Sequence, residues 1–199
     1  MNVAVNVAVI YYSSTGNMHA LARAVAEGAA EAGAEVRLRR ARELAPEEAM
    51  KANPAWWEHY QETQDIPEAQ SEDLQWADGY VFGTPTRYGN VASQLKQFID
   101  EQGALWAEGK LADKVVGVFT SASTAHGGQE TTISSLFNVF AHWGSVLVPL
   151  GYTDEAIFTT GNPYGASSTN EPTEEEISVA RYQGRRIAEK AGALAPSRV

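Results

Sequence analysis

The alternation of strand-like and helix-like segments limits this chain to a small set of folds. Residues 3–12 form a nearly continuous run of β-branched and aromatic side chains, which is typical of a strand covered on both faces. Apolar residues at helical spacing follow at once between Met18 and Ala29, and Gly33 predicts the end of that helix. Residues 35–39 alternate apolar and charged side chains, which predicts a second strand.

The same alternation continues to the end of the chain. Further strands are predicted at residues 79–83, 114–120 and 146–150, and helices with apolar stripes are predicted over residues 91–99 and 133–140. A last helix follows the Thr-x-x-Glu capping box that begins at residue 173. Strands that alternate with helices predict an α/β fold with a doubly wound five-stranded parallel sheet in three layers. Ligands of such sheets bind at the carboxyl ends of the strands.

Two long connections interrupt this pattern, at about residues 41–73 and 151–172. We expect one short helix in the first and no regular structure in the second. A total length of 199 residues predicts one domain over residues 1–199. Loops of this length in one domain serve binding or subunit contact more often than they serve no purpose.

The composition excludes several classes of function. With 15 Lys and Arg against 25 Asp and Glu, the formal net charge of −10 disfavours nucleic acids and anionic membranes. No apolar run reaches the roughly 20 residues that span a bilayer, so no membrane insertion is expected. The sequence contains no cysteine, which removes thiolate chemistry and agrees with a cytoplasmic location. The four histidines lack metal-ligand spacing, so we expect no metal site.

The loop after the first predicted strand has the features of a phosphate site. Ser13, Ser14 and Thr15 precede Gly16 and the start of a helix, where backbone N–H groups and the helix dipole favour an anion. Ordinary N-capping is the alternative, but a cap needs one hydroxyl rather than three. The chain lacks the Gly-Lys-Ser/Thr end of a nucleoside-triphosphate loop and any G-x-G-x-x-G. A dianionic monophosphate held by neutral donors is the remaining fit.

The loops after the third and fourth predicted strands add hydrogen-bond donors and a surface that can contact a flat ring. Residues 83–90 combine turn formers with one cation and one tyrosine, and residues 120–130 combine small hydroxyl side chains with paired glycines. Either loop alone indicates only a turn. Together at one sheet edge they predict a site that surrounds a flat heterocycle such as an isoalloxazine ring.

Five motifs carry a resemblance to a known family. They are Tyr11-Tyr-Ser-x-x-Gly16, Phe82-Gly-Thr-Pro-Thr-Arg-Tyr-Gly-Asn90, Gly127-Gly-Gln-Glu130, Ala141-His-x-Gly144 and Ala180-Arg-Tyr-Gln-Gly184. In combination, over about residues 5–190, they resemble the WrbA family of flavodoxin-like NAD(P)H:quinone oxidoreductases. The resemblance implies FMN as cofactor, NADH or NADPH as co-substrate, quinones as electron acceptors and a homotetramer.

The resemblance also implies roles for individual residues. The residues that would bind or border FMN are Ser13, Ser14, Thr15, Gly16, Asn17, Met18, Thr86, Arg87, Tyr88, Ser121, Ala122, Ser123, Thr124, Ala125, His126, Gly127 and His142. Thr15 would also contact the nicotinamide, and Trp106 would wall the substrate site across a subunit boundary. Thr15 and Asn17 stand where some members carry an aromatic residue and a histidine, which affects the placement of the nicotinamide.

We therefore expect an FMN-dependent enzyme that passes two electrons, as hydride, from NADH or NADPH to a quinone by a ping-pong mechanism. No side chain is expected to act as a covalent catalyst, because the flavin carries the chemistry. Two alternatives remain open: an electron carrier of the flavodoxin type, and a non-catalytic interaction protein that binds FMN.

Overall fold

Six parallel strands form one sheet in residues 5–195, the part of the chain that the computed structural model describes. They are β1 (Asn6–Tyr11), β2 (Glu35–Arg40), β3 (Gly79–Pro85), β4 (Val115–Ala122), β5 (Val146–Leu147) and β6 (Ser167–Thr169). Their order is β2-β1-β3-β4-β5, and β6 also pairs with β4. The predicted α/β fold with a doubly wound parallel sheet is confirmed, and the observed strand order reverses between β1 and β3, where such sheets bind ligands.

Helices cover both faces of the sheet. They are α1 (Asn17–Glu31), α2 (Glu47–Lys51), α3 (Pro54–Glu62), α4 (Ser71–Trp76), α5 (Ser93–Asp100), α6 (Gly103–Ala107), α7 (Gln129–His142), α8 (Glu155–Thr160) and α9 (Glu174–Leu194). Buried residues of α1 and α9 pack with one face of the sheet, and those of α4, α5 and α7 pack with the other. These two apolar cores give the three layers that the sequence predicts.

The first strand shows why its sequence is so uniformly apolar. Val7 and Val9 belong to one core, whereas Ala8 and Ile10 belong to the other. Because successive side chains of a strand point to opposite faces, both sets must be apolar when both faces are covered. The strand is shorter than the predicted 3–12, and Val3 and Ala4 lie outside the described residues.

Helices α1 and α9 touch at their backbones. A side-chain carbon at Gly28 would clash with the carbonyl of Arg181, and one at Gly184 would clash with the carbonyl of Val25. Glycine at both positions therefore allows a close helix crossing on this face of the sheet.

The connection at residues 41–73 contains three helices, α2, α3 and α4, where the sequence predicted one. Two of these helices begin at prolines, which obscure the helical pattern in the sequence. Pro54 is the first residue of α3, a position at which proline is favoured because its missing N–H has no helical partner, and Pro46 immediately precedes α2 as its N-cap.

The second connection is also more ordered than expected, since residues 151–172 contain α8 and β6. The predicted strand 146–150 ends after two residues. Val148 still donates its N–H to the Val116 carbonyl, and the chain then leaves the sheet at Pro149, a residue type that is tolerated at sheet edges. It returns at β6, which pairs with the carboxyl half of β4, so two segments occupy the fifth position of the sheet.

Candidate functional site

The loops at the carboxyl ends of β1, β3 and β4 surround one cavity of about 180 Å³. It is lined by Ser13, Ser14, Thr15, Asn17, Met18, Pro85, Thr86, Arg87, Ser121, Ala122, Ser123 and Asn170. These loops lie beside the point between β1 and β3 at which the order of the strands in the sheet reverses. The three loops that the sequence predicted to act together therefore meet.

The first loop turns sharply into α1 and leaves backbone donors at its start. Gly16 is the N-cap with φ of 102°, a left-handed conformation that favours glycine, and its N–H donates to Ser13 Oγ at 3.1 Å. No side chain of the described residues caps α1. The first-turn N–H groups and the positive end of the helix dipole are thus available to an anion.

Two imidazoles pack behind this loop. His59 on α3 comes within 3.7 Å of the point where a side-chain carbon on Gly16 would lie, and its ring centroid is 5.6 Å from that of His19. The hydroxyl of Tyr11 is 2.6 Å from His19 Nδ1. Burial and the neighbouring His59 lower the pKa of His19 to about 4, and burial lowers the pKa of His59 as well. At neutral pH the loop therefore offers neutral donors to an anion rather than imidazolium charge.

Among the described residues 5–195, the third loop supplies the only cation that lines the cavity, Arg87. The Thr86 N–H donates to the Ser121 carbonyl at 2.8 Å, which ties the third loop to the fourth, and the Thr86 hydroxyl accepts from Thr132 at 2.7 Å. The Arg87 guanidinium is 3.5 Å from Ser14 Oγ on the first loop. Tyr88 is fully exposed and has φ of 55°, a strained conformation for this residue type that is common at functional sites.

Asn170, which follows β6, completes the cavity beside the fourth loop. Its N–H donates to the Ala122 carbonyl at 2.8 Å, and its side-chain amide donates to the Ser123 carbonyl at 3.2 Å. Its φ of 61° is a left-handed conformation that asparagine tolerates better than most residues. On the other side of this loop, Gly127 N–H and Gln129 Nε2 both donate to the Thr124 carbonyl at 3.0 Å.

Glu43 fixes the outer wall of the first loop. Its carboxylate accepts from Tyr12 Oη at 2.9 Å, Trp56 Nε1 at 3.1 Å and Gln94 Nε2 at 2.9 Å, and from the N–H groups of Leu44 and Ala45. Burial alone would raise the pKa of Glu43, but the hydrogen bonds from Ala45, Gln94 and Tyr12 lower it overall. The side chain is therefore an anchor that holds three elements beside the cavity.

Ten of the residues predicted from the sequence line the cavity, and eight do not. Gly16 shapes the first loop, and Tyr88 belongs to a neighbouring groove. Those of the fourth loop that do not line it are Thr124, Ala125, His126 and Gly127. His142 and Trp106 lie together elsewhere, where Trp106 Nε1 donates to the His142 carbonyl at 2.8 Å.

The distance along α7 explains the separation of His142 and Trp106 from the cavity. Thr132 near the start of α7 contacts Thr86, whereas His142 is its last residue. Ten residues of helix span about 15 Å. Within a single chain, the side chains of His142 and Trp106 therefore lie far from the residues that line the cavity.

The sequence reasoning missed Pro85, Asn170, Glu43 and His59. Asn170 stands in a polar stretch for which the sequence predicts no regular structure. The tolerance of asparagine for positive φ was the only available signal. Glu43 and His59 belong to the first connection, whose helices were not foreseen. Within residues 5–195, no group of three or more His, Asp or Glu side chains is arranged to hold a metal ion. No helix in this range combines the length and apolar character required to cross a membrane.

The geometry fits a ligand with a phosphate at one end. The uncapped start of α1, together with Ser13, Ser14 and Thr15, provides uncharged donors for a dianion. The loops after β3 and β4 extend this site with backbone donors and the Arg87 cation. Such an arrangement can hold a phosphorylated heterocycle with its ring between the two loops.

Known proteins are similar to this chain in sequence and in architecture. Residues 5–155 match the family described as NADPH-dependent FMN reductase. The chain is 47% identical over 193 residues to a protein of Deinococcus radiodurans named NAD(P)H dehydrogenase (quinone), covering 95% of this chain and 96% of that protein. It is 45% identical to a Caulobacter vibrioides protein of the same name, covering 93% and 96%. The crystal structure of a flavodoxin, WrbA-like protein from Agrobacterium tumefaciens aligns with TM-score 0.71 and 27% identity, covering 96% of this chain and 99% of that one.

Proposed function

Because this chain belongs to the NADPH-dependent FMN reductase family, we propose that it is an FMN-dependent NAD(P)H dehydrogenase that reduces quinones. The observation that carries the proposal is the cavity that joins three loops to the uncapped start of α1. The overall reaction converts NAD(P)H, a proton and a quinone into NAD(P)⁺ and a quinol. Bound FMN supplies the centre that accepts and donates hydride.

The residues of the cavity fit FMN and divide between its two ends. Ser13 to Met18, at the start of α1, would hold the phosphate through hydroxyl and N–H groups. Thr86, Arg87 and Tyr88 would line the ring from one side. The remaining FMN contacts are assigned to Ser121, Ala122, Ser123, Thr124, Ala125, His126, Gly127 and His142.

Charge placement supports a reductive role. Arg87 makes no ion pair within residues 5–195, and its guanidinium reaches toward Ser14. A cation and oriented N–H groups next to the ring favour its anionic reduced form. Thr15 lies exposed at the mouth of the cavity and is assigned the nicotinamide contact.

A homotetramer in the cytoplasm is part of the proposal. The positions of Trp106 and His142 support it, because their distance from the cavity of their own chain leaves them to act on the site of a second copy. Trp106 is 56% exposed, as a residue at a subunit contact is in an isolated chain. A ping-pong order follows if NAD(P)⁺ must leave the shared entrance before the quinone enters.

The test is an anaerobic flavin titration. The purified chain is first reconstituted with FMN. NADH or NADPH is then added, and the absorbance of oxidised flavin at about 450 nm is followed. We expect rapid bleaching that a quinone reverses. Persistence of the band with both nucleotides would contradict the proposal and favour an electron carrier or an FMN-binding interaction protein.

A matched pair of serine variants tests the phosphate site. Ser14→Ala removes a hydroxyl from the cavity and should weaken FMN binding about fivefold, the effect of one lost hydrogen bond. Ser178→Ala changes an exposed serine of α9 and should leave FMN binding unaltered. Riboflavin, which lacks the phosphate, should bind both variants and the parent equally. Equal losses of FMN affinity in the two variants would contradict the assignment.

A further inference from the structure

A second concave surface adjoins the cavity and remains unassigned. This outer groove has a volume of about 690 Å³ and is mainly apolar. The residues that matter here are Trp56, Arg87, Tyr88, Val91 and Lys96. Arg87 belongs to both surfaces, so the groove leads directly away from the proposed flavin site.

The groove offers aromatic surfaces for a flat ring. Trp56 is half-buried, and its indole is held in place by the hydrogen bond from Nε1 to Glu43 at 3.1 Å. Tyr88 is fully exposed on a strained backbone with φ of 55°. A strained loop that holds a tyrosine ring wholly in solvent indicates a surface shaped for a ligand.

Two cations border the same groove. Arg87 has no carboxylate partner in residues 5–195, and Lys96 pairs only with Asp100, at 2.6 Å across a largely exposed turn of α5. Exposed pairs of this kind are weak, so Lys96 can also neutralise a ligand. In a chain of net charge −10, two cations beside an apolar groove favour an anionic occupant.

We propose that the outer groove binds the adenosine diphosphate half of NAD(P)H. This inference rests on the proposed function, which brings the nicotinamide half to the Arg87 end of the groove. The adenine ring packs against the aromatic surfaces, and the pyrophosphate lies between Arg87 and Lys96. A nucleotide diphosphate combines the flat ring and the negative charge that the groove would accept.

The first test uses ADP-ribose, which lacks the nicotinamide and needs no flavin chemistry. We expect calorimetric titration to show binding to the parent protein reconstituted with FMN. Lys96→Glu should weaken it about tenfold, because it replaces a favourable charge with a repulsive one. The control is Lys51→Glu, which reverses another lysine paired at i,i+4, with Glu47, outside the groove, and should leave the affinity unchanged.

The second test separates the two halves of the nucleotide. Lys96→Glu should raise KM for NADH about tenfold with kcat unchanged, and should raise KM for reduced nicotinamide mononucleotide less than about twofold. No detectable ADP-ribose binding, equal losses in the two lysine variants, or equal KM changes for the two reductants would each overturn the proposal. A lower mass of Lys96→Glu in light scattering would assign the groove to subunit contact and overturn it as well.

The two proposals fail in different ways. If ADP-ribose binds and Lys96→Glu weakens that binding about tenfold, but NADH and NADPH leave the flavin oxidised, the nucleotide site stands and the proposed function fails. If NADH reduces the flavin but ADP-ribose does not bind, the proposed function stands and the groove assignment fails.

Discussion

The two long connections of the chain, residues 41–73 and residues 151–172, are held in place by different means. The first depends on two carboxylates, since half-buried Glu43 accepts five hydrogen bonds and buried Asp73 pairs with Arg37 and Arg39. The second depends on backbone pairing through β6 and leaves aromatic side chains exposed. Side-chain networks fix one connection, and main-chain hydrogen bonds fix the other.

This difference determines how each connection reaches the cavity. The first supports the phosphate loop from behind, through Glu43 to Tyr12 and through His59 to Gly16. The second contributes Asn170, whose backbone and side chain both hold the fourth loop. Substitutions of hydrogen-bonded or charged side chains should therefore cost more stability in the first connection than in the second.

The largest effect is expected at Asp73. Its carboxylate is almost fully buried, lies 3.0 Å from Arg39 Nε and 3.2 Å from Arg37 Nη1, and accepts the Gln70 N–H at 3.0 Å. Asp73→Asn leaves the two arginines without a counter-charge and should lower the free energy of unfolding by about 3 kcal/mol. Urea unfolding measures this. Glu58→Gln, an exposed position of α3, is the control, and a loss of similar size there would contradict the expectation.

Glu43 should have the next largest effect. Glu43→Gln replaces one acceptor oxygen with an NH₂ group, which then faces either the donors of Tyr12 and Trp56 or the side-chain amide of Gln94. The expected loss is about 2 kcal/mol of unfolding free energy, together with weaker FMN binding. Unchanged values in urea unfolding and in FMN titration would show that the network does not support the first loop.

The pH dependence of the Glu43 variant sharpens this point. Hydrogen bonds lower the pKa of Glu43 overall against the opposing effect of burial. A carboxylate with a lowered pKa stabilises the fold above its ordinary value of 4.5 and loses that contribution as pH falls through its value in the folded protein. The stability difference between the parent and Glu43→Gln should be full at neutral pH and shrink on acidification. A constant difference would mean that the charge of Glu43 has no part in it.

Asn170 should have a smaller effect, visible mainly in cofactor binding. Asn170→Gly keeps the φ of 61° accessible and removes only the amide that holds the Ser123 carbonyl, so FMN should bind about fivefold more weakly. Asn170→Ala should lose the same affinity and also about 1 kcal/mol of stability, because its backbone is strained. FMN fluorescence titration and urea unfolding separate the two. Equal stability of the two variants would show that the backbone conformation is not strained.

The smallest effect is expected on the exposed side of α8. Phe158 is 67% exposed, so Phe158→Ser should change the free energy of unfolding by less than about 0.5 kcal/mol. Its neighbour Ile157 is fully buried, and Ile157→Ser should cost about 3 kcal/mol. Similar urea midpoints for the two variants would contradict this picture of the second connection.

Most of the sheet could be predicted because its signal is local. The run of apolar residues in β1 and the helical spacing in α1 require only the neighbouring sequence to interpret. Pairing between distant segments carries no such signal, so the sequence did not predict β6, whose residues pair with β4 residues 47 positions earlier. The same limit applies to α2 and α3. Whether a proline starts a helix or interrupts the chain depends on contacts with other segments, which the local sequence does not reveal.

The candidate site was predictable to the same extent. The three loops could be located because they follow strands whose carboxyl ends must share one edge, and the resemblance to a known family then named ten of the residues that line the cavity. Asn170 could not, because its place depends on the unforeseen pairing of β6 with β4. Glu43 and His59 support the first loop by contacts between elements far apart in sequence, which spacing does not encode.

The close crossing of α1 and α9 has a consequence for the synthesis of this protein. Helix α9 leaves the ribosome after all six described strands of the sheet, and it covers the same sheet face as α1 through contacts at Gly28 and Gly184. Until it emerges, apolar side chains of that face such as Val81 and Phe119 lack their final cover. A nascent chain that stalls before α9 therefore presents an open apolar surface to the cell, which makes the interval before α9 emerges a period of high exposure to aggregation and to chaperones.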